Sequence, residues 1–464
     1  LNANVISRAR GQSIVAAAAY RAGARLRDER YGVVHNYVGR RICAHAEIMA
    51  PDGTPEWVRD RELLWNRVEA AEPRKDSQLA RLIELGLPTE LSHAQSLALL
   101  RDYIASVFVA RGMIADFYVR CDNPDNPHAH ILLTLRGVTP VGFGPKERRW
   151  NGKANLLEWR AAWADRVNRH LAQAGHAVRI DHRTLEAQQL ELVPARRMGI
   201  GRSAAVGLDL PEHLAERVLE QRRIAGANGA LIIEDPTVAL RALTHRAPAF
   251  SESDLKRFLR SRTEAGAQFD AALRAVLQSP ELIPLPQAPG VARRFTSSDM
   301  QSAAKSLARR VTAMAGRRTH SLAPHDRMPA LSRLPHPDGV MAHAFADLMG
   351  VGAAKAVALG DDGKAQLIEA VAAASSAAGF AVVRVTPQML CGIELELHAR
   401  SLLLIEDAEL LGLKALERAV GAADAARAKV VLVADLPRLQ AMGDDAPFAI
   451  VLRALALIRG SAHE

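Results

Sequence analysis

The sequence predicts an α+β protein: an antiparallel sheet with helices, then a helical and basic stretch, then an α/β lobe on a parallel sheet. Three observations predict it. All five Trp and all five Tyr lie before residue 164, which sets a first domain apart from the rest. In that domain helical periodicity alternates with hairpin-type strands. After residue 330, short β runs alternate regularly with helical segments, the pattern of a parallel sheet. The expected boundaries are 1–200, 201–330 and 331–464.

The elements follow in order. Ser13 to about Arg27 reads as a helix, with a Ser start signal, an alanine-rich body and Arg near its end. Residues 58–80 and 93–111 read as helices around a short strand near Leu82–Leu87, which Pro88 ends. Residues 114–120 and 129–135 read as two strands joined by a Pro/Asn/Asp turn. A helix is expected over Asn155–Ala174 and another over 212–225, with Gly199, Gly201, Gly226 and Gly229 as breaks. Residues 236–330 read as helical, interrupted by a Pro-rich linker from Pro280 to Pro289. The tail strands are expected at Lys355–Leu359, Ala381–Val385, Ser401–Ile405 and Lys429–Val433.

Composition narrows the function classes. No run of about 18 apolar residues exists, so no membrane-spanning helix is expected. Cys43, Cys121 and Cys391 are few, odd in number and far apart, which argues against a disulfide framework and for a reducing cytoplasm. Residues 1–200 carry 29 Lys/Arg against 22 Asp/Glu, residues 201–330 carry 19 against 13, and residues 331–464 carry 12 against 16. A polyanionic partner for the first two-thirds follows, because neutralising phosphates releases counterions.

Three motifs carry chemistry. In Asn126-Pro127-His128-Ala129-His130-Ile131, two histidines alternate on a strand, so both imidazoles face the same way, a metal-gripping arrangement. Two polar residues on a solvent face is the alternative. Tyr20 follows four alanines, which let a helix lie close to a sheet, and Arg21 and Arg25 flank it. Such a tyrosine could attack a phosphodiester, or be an ordinary half-buried side chain. Glu84 is a carboxylate inside the apolar strand Ile83-Glu84-Leu85, where a metal or general-base role would give it a partner. Pairing with a nearby Arg would serve as well.

Together and in this order, these motifs resemble the MobA/MobL-type conjugative relaxases. The resemblance runs from Ser7–Ser13 through Tyr20-Arg21, Trp65–Leu91, the His128/His130 strand as an HUH motif, and Trp159–Asn168 to Arg179–Arg183. It implies that Tyr20 attacks a scissile phosphate and keeps the 5′ end as a phosphotyrosine. It implies that His128 and His130 hold a divalent metal, Mn²⁺ or Mg²⁺, and that Glu84 orients a ligand or accepts the tyrosine proton. Arg21, Arg25 and Arg120 become DNA contacts. Relatives usually carry a third metal histidine where this chain has Arg120, and a guanidinium does not ligate metal. Asp122 shares the strand parity of Arg120, Cys121 needs a bulge to reach the same face, and His45 is a further substitute. Arg120 could instead grip phosphate bidentately.

The implied substrate is single-stranded or hairpin DNA of a transfer origin, with accessory relaxosome proteins and a type IV coupling protein as partners and no membrane insertion. A catalytically impaired origin-binding protein is the alternative, and an inactive fragment the third. The resemblance also implies an opening strand that would precede Leu1. The pairs Arg196-Arg197, Arg222-Arg223, Arg309-Arg310 and Arg317-Arg318 are solvated charges or a track for a DNA backbone.

The tail resembles the first RecA-like lobe of superfamily 1 helicases. Ala358–Ala365 stands where a phosphate loop belongs, but only Gly363-Lys364 keep the pattern, with Ala358 and Ala365 in place of Gly and Ser/Thr. Leu403–Ala408 resembles a Walker B strand with its acidic pair reversed, and Ala434–Gln440 a later helicase motif. A degenerate lobe without ATPase is expected, and the chain ends at Glu464 before a second lobe, so unwinding is not.

Overall fold

A computed structural model describes residues 1–39, 44–120, 126–194, 212–286, 292–332, 334, 339–360, 363–390 and 393–461. The chain forms two compact units, Leu1–Leu171 and Ala172–Glu464.

The first unit is built on a five-stranded sheet of order β1-β5-β7-β6-β4, every pair antiparallel. Its strands are β1 (Asn2–Ser7), β4 (His45–Met49), β5 (Gln78–Gly86), β6 (Ala115–Arg120) and β7 (His128–Leu133). β1 forms one edge of this sheet and β4 the other. Helix α1 (Ile14–Ala22) lies on one face. Its Ile14, Val15, Ala18 and Ala19 are buried with Leu82, Tyr118 and Leu132 of the sheet. The alanines allow this close approach. Helices α3 (His93–Val107) and α4 (Lys153–Gln173) cover the other face, where Arg101 donates to Glu47 of β4 at 2.7 Å and Arg81 of β5 stacks over Trp159. Ile83, Phe117, Val119, Ala129 and Ile131 are fully buried on that side.

Three boundaries depart from expectation. The first helix stops at Ala22, because Gly23 takes the left-handed conformation (φ +61°) that closes a helix, and Arg25–Asp28 becomes strand β2. β2 pairs with β3 (Val33–Asn36) in a separate hairpin. The helix expected over 58–80 is only α2 (Arg61–Ala71), and β5 begins at Gln78 and runs for nine residues. A second hairpin joins β8 (Arg136–Thr139) to β9 (Gly142–Lys146).

The N-terminal end of α1 is pinned. Ser13 accepts from the Ala16 amide at 3.1 Å and donates to Asp28 at 2.5 Å. Glu69 of α2 accepts from the Ile14 amide at 3.1 Å while paired at 2.5 Å with the buried Arg8. The carboxylate sits at the helix N-terminus, where the helix dipole favours it.

In the second unit, α5 (Glu212–Glu234), α6 (Thr237–Arg246), α7 (Glu252–Arg260) and α8 (Ala267–Leu277) pack around Ile232, Leu240, Leu255 and Val276. Gly226 and Gly229 lie inside α5 and break nothing. They make room for the 264–268 segment, whose Gln268 donates to the Gly226 carbonyl at 2.8 Å. The described part of the Pro-rich segment forms β11 (Leu282–Pro284). It pairs with β12 (Arg294–Ser297), and β12 pairs with β10 (Phe250–Ser251).

The tail strands appear where the β runs predict them. β13 (Ala354–Leu359), β14 (Ala381–Val385), β15 (Ser401–Ile405) and β16 (Lys429–Asp435) form a parallel sheet of order β13-β16-β15-β14. β15 and β16 are buried along their whole length, as expected of parallel strands covered on both faces. On one face Leu403, Val430 and Leu432 pack with α9 (Ser298–Ala315), through Met300, Leu307 and Val311. On the other, Leu404, Val431 and Val433 pack with Phe345 and Leu367.

Candidate active site

The register across the first sheet decides which side chains meet. Asn2, Glu84, His130, Tyr118 and Ala46 stand side by side on the face toward α1. One step along, Gly86, His128 and Arg120 form the next row of that face. The histidine pair, Glu84 and Arg120 are thus brought together, and α1 carries Tyr20 and Arg21 in its last turn. His45 pairs with Val119 and so belongs to the opposite face, where its Nε2 meets Glu47 at 2.8 Å. It is removed as a third ligand. Cys121 and Asp122 lie outside the described residues.

The two imidazoles differ in environment. Their ring centres are 5.3 Å apart. His128 directs Nδ1 at the Asn126 carbonyl, 3.0 Å away, which leaves Nε2 as the outward nitrogen. The His130 Nδ1 is buried with no hydrogen-bond partner among the described residues. Burial, then the charges of Arg21, His128 and Arg120, push His130 down to about 3, so its ring is neutral at physiological pH. Neutral imidazole is the ligating form. Two imidazoles with an orphaned buried nitrogen fit a divalent ion. Among the described residues, no group of three or more His, Cys, Asp or Glu completes the set.

Arg21 is largely buried, and burial lowers its pKa, with the nearby Glu84 carboxylate opposing the shift. One guanidinium nitrogen donates to the Ala17 carbonyl at 3.0 Å, while Nε has no partner among the described residues. A desolvated guanidinium with unspent donors beside Arg120 is a receptor for an oxyanion. Glu84 accepts from Asn2 at 3.2 Å. Tyr20 is exposed (38%), its ring held edge-on by Tyr37 at 5.3 Å. Arg25 is exposed on β2, outside α1.

Sequence reasoning passed over the support beneath this cluster. Asp116 is fully buried and accepts from Arg61 Nε at 2.9 Å and Nη2 at 2.8 Å, from Trp65 Nε1 at 2.8 Å, and from the Tyr118 hydroxyl. Tyr118 is His130's direct neighbour, so this network braces the histidine strand. The signal was available: an acid in the apolar run Ile114–Val119, and Arg61 and Trp65 four apart on one helix face.

In the second unit, Lys364 opens α10 (Lys364–Ala377) after Gly363, whose φ of +92° suits glycine. Its ammonium is 2.8 Å from Asp407 and 3.8 Å from Asp435. Arg438 reaches Glu409 at 3.0 Å and Asp407 at 3.4 Å. Burial, then the Asp407 charge, raises the pKa of Glu409. The Met341 side chain sits against Gly363. Asp361 and Asp362, between β13 and this helix, lie outside the described residues, as do Arg196 and Arg197.

The fold and the cluster define a class: an antiparallel-sheet domain with a paired-histidine strand beneath a short helix that ends in an exposed tyrosine. Residues 12–206 match the MobA/MobL family, and the chain belongs to that family through this first domain. It is 30% identical to the conjugal transfer protein TraA of Agrobacterium fabrum over 69% of this chain and 33% of that protein. It is 28% identical to a probable conjugal transfer protein TraA of Sinorhizobium fredii, covering 97% of this chain and 46% of the relative. The mobilization protein MobL of Acidithiobacillus ferridurans is 35% identical over 45% of this chain and 63% of its own. The chain spans less than half the length of the TraA relatives it matches.

Proposed function

We propose that this protein nicks one strand of DNA at a transfer origin and initiates conjugative DNA transfer. Tyr20 Oη attacks the scissile phosphorus, the bond from phosphorus to the 3′ oxygen breaks, and the phosphate stays on Tyr20 with the 5′ end. The phenol proton passes to Glu84 and from there to the leaving 3′ oxygen. Arg21 and Arg120 hold the non-bridging oxygens, where charge gathers as the new bond forms. His128 and His130 would hold a divalent ion, Mn²⁺ or Mg²⁺, which when bound polarises the same phosphate. The observation that carries this reading is the shared face on which two imidazoles, Glu84, Arg120 and Arg21 meet below an exposed tyrosine.

A second reading is favoured by one residue. Arg120 stands opposite His128, where the resemblance calls for a metal histidine. On that reading the protein binds the origin without cutting it. Single-stranded oligonucleotides tiling the DNA beside its own gene, incubated with Mn²⁺, separate the two. The nicking reading expects a covalent protein–DNA band from the parent that Tyr20→Phe abolishes. A band seen only with Arg120→His selects the second reading, and a band that survives Tyr20→Phe refutes the assignment of the nucleophile.

For the second unit we infer a RecA-like lobe that no longer turns over ATP. The parallel sheet supports it, with Lys364 after its first strand, Asp407 after β15 and Asp435 at the end of β16. Three carboxylates against two cations also fill the position that a triphosphate would need. Such a lobe serves as a docking platform for DNA, accessory relaxosome proteins or a type IV coupling protein.

A further inference from the structure

The β2–β3 hairpin takes no part in the chemistry above, yet it stands beside Tyr20. Residues 20–38 hold five exposed large hydrophobic side chains: Tyr20, Tyr31, Val33, Val34 and Val38. Single exposed apolar residues are ordinary, but a cluster of this kind marks an interaction surface. The pairing sets its outer face. Leu26 and Asp28 turn inward and are buried, so Arg25 with Asn36 and Arg27 with Val34 make the outer rows. Arg30 and Tyr31 follow at the turn, with Glu29 as the exposed acid.

The hairpin is braced. The Arg27 amide donates to Glu62 at 2.7 Å, Asn66 donates to the Arg27 carbonyl at 2.8 Å, and the Glu29 amide donates to Asn66 at 2.9 Å. The Tyr31 amide donates to Asp28 at 3.2 Å. At its base, Tyr37 meets Tyr20 edge to face. Its four-residue strands extend the surface by roughly 13 Å from the nucleophile. Exposed Arg25, Arg27 and Arg30 around the exposed ring of Tyr31 suit single-stranded nucleic acid, whose bases stack on aromatic faces while its phosphates meet the cations. A rigid platform also avoids the ordering cost that a mobile loop pays on binding.

We propose that this hairpin is a stacking platform for the single-stranded DNA that adjoins the Tyr20 site. Tyr31 takes a base, Arg25 and Arg27 take phosphates, and Tyr37, half-buried against the core, holds the Tyr20 ring beside them. The proposal rests on the nicking reading for which DNA is bound, but its test does not depend on cleavage. The affinity of the full chain is measured by fluorescence anisotropy for labelled dT20 and for an abasic chain with the same number of phosphates. The parent should bind dT20 about tenfold more tightly or better. Tyr31→Ala should remove much of that preference while leaving abasic binding unchanged. Arg25→Gln should weaken both ligands alike and lower the salt slope by about 0.7. Tryptophan fluorescence on unfolding confirms that each variant folds. Equal affinity of the parent for the two chains, or equal loss of both in Tyr31→Ala, overturns the platform and leaves the surface to a protein partner. A missing covalent band with base preference intact overturns the nicking reading alone.

Discussion

Asp116→Asn tests whether the buried network braces the histidine strand. The carboxylate is fully enclosed and satisfies the Arg61 guanidinium, the Trp65 indole and the Tyr118 hydroxyl. Breaking a buried pair costs about 3–5 kcal/mol, because a charge is left without its partner. The Arg61 side chain keeps 19% of its surface in solvent, so the lower end applies, about 3 kcal/mol. For a unit of this size that is a fall in Tm of roughly 6–12 °C. The assay is specific, because all five tryptophans lie before residue 164 and report on the first unit only. Arg61→Met alone should also destabilise. The double variant should cost less than the sum, since neither charge then lacks a partner. A loss below about 1 kcal/mol, or strict additivity, refutes the bracing role.

Other outcomes follow from the same geometry. Arg120→His should raise Mn²⁺ affinity at least about tenfold by calorimetry, since outer contacts alone tune metal sites by that much; an unchanged affinity refutes the placement of Arg120 beside the histidines. The parent should show no saturable binding of a fluorescent ATP analogue, and Lys364→Ala should lower the far-UV melting midpoint of the second unit by a few degrees. Micromolar analogue binding would contradict the self-filled site. Burial, then the charges of Lys355 and Arg327, pushes Lys429 down to about 7 from an ordinary 10.5. Between those values the unfolded chain holds a proton that the native one lacks, so stability should rise with pH from 7 toward 10, by up to roughly 1.4 kcal/mol per pH unit. Urea midpoints followed by far-UV circular dichroism check this, and Lys429→Met should flatten the slope.

Much of the architecture was legible because local chemistry and tertiary structure agree. The tail strands Ala381–Val385 and Ser401–Ile405 are apolar runs that a doubly covered parallel sheet requires. Helix α4 and the β6–β7 pair follow from periodicity and turn residues. Misreadings cluster where a neighbour decides. Residues 58–80 read as one helix, but α2 ends at Ala71 and β1 pairs with Gln78–Glu84, which draws the end of that stretch into the sheet. Gly226 and Gly229 look like breakers, yet they are spacers against Gln268. Arg25 appears next to Tyr20 in a helical reading, but Gly23 turns it onto the hairpin.

By itself the sequence determined the residue types of the site and the parity of the histidine strand, because alternation along a strand is a local property. It also determined the family resemblance, the absence of a long apolar helix and the charge that points to a polyanion. Only the tertiary structure decided that Glu84 stands beside His130, that Arg120 stands opposite His128, and that His45 faces away. Register is set by hydrogen bonds between strands distant in sequence, and one residue of slip would exchange the two faces. The buried Asp116 support and the hairpin beside Tyr20 belong to the same class of fact, visible only once separate segments share a surface.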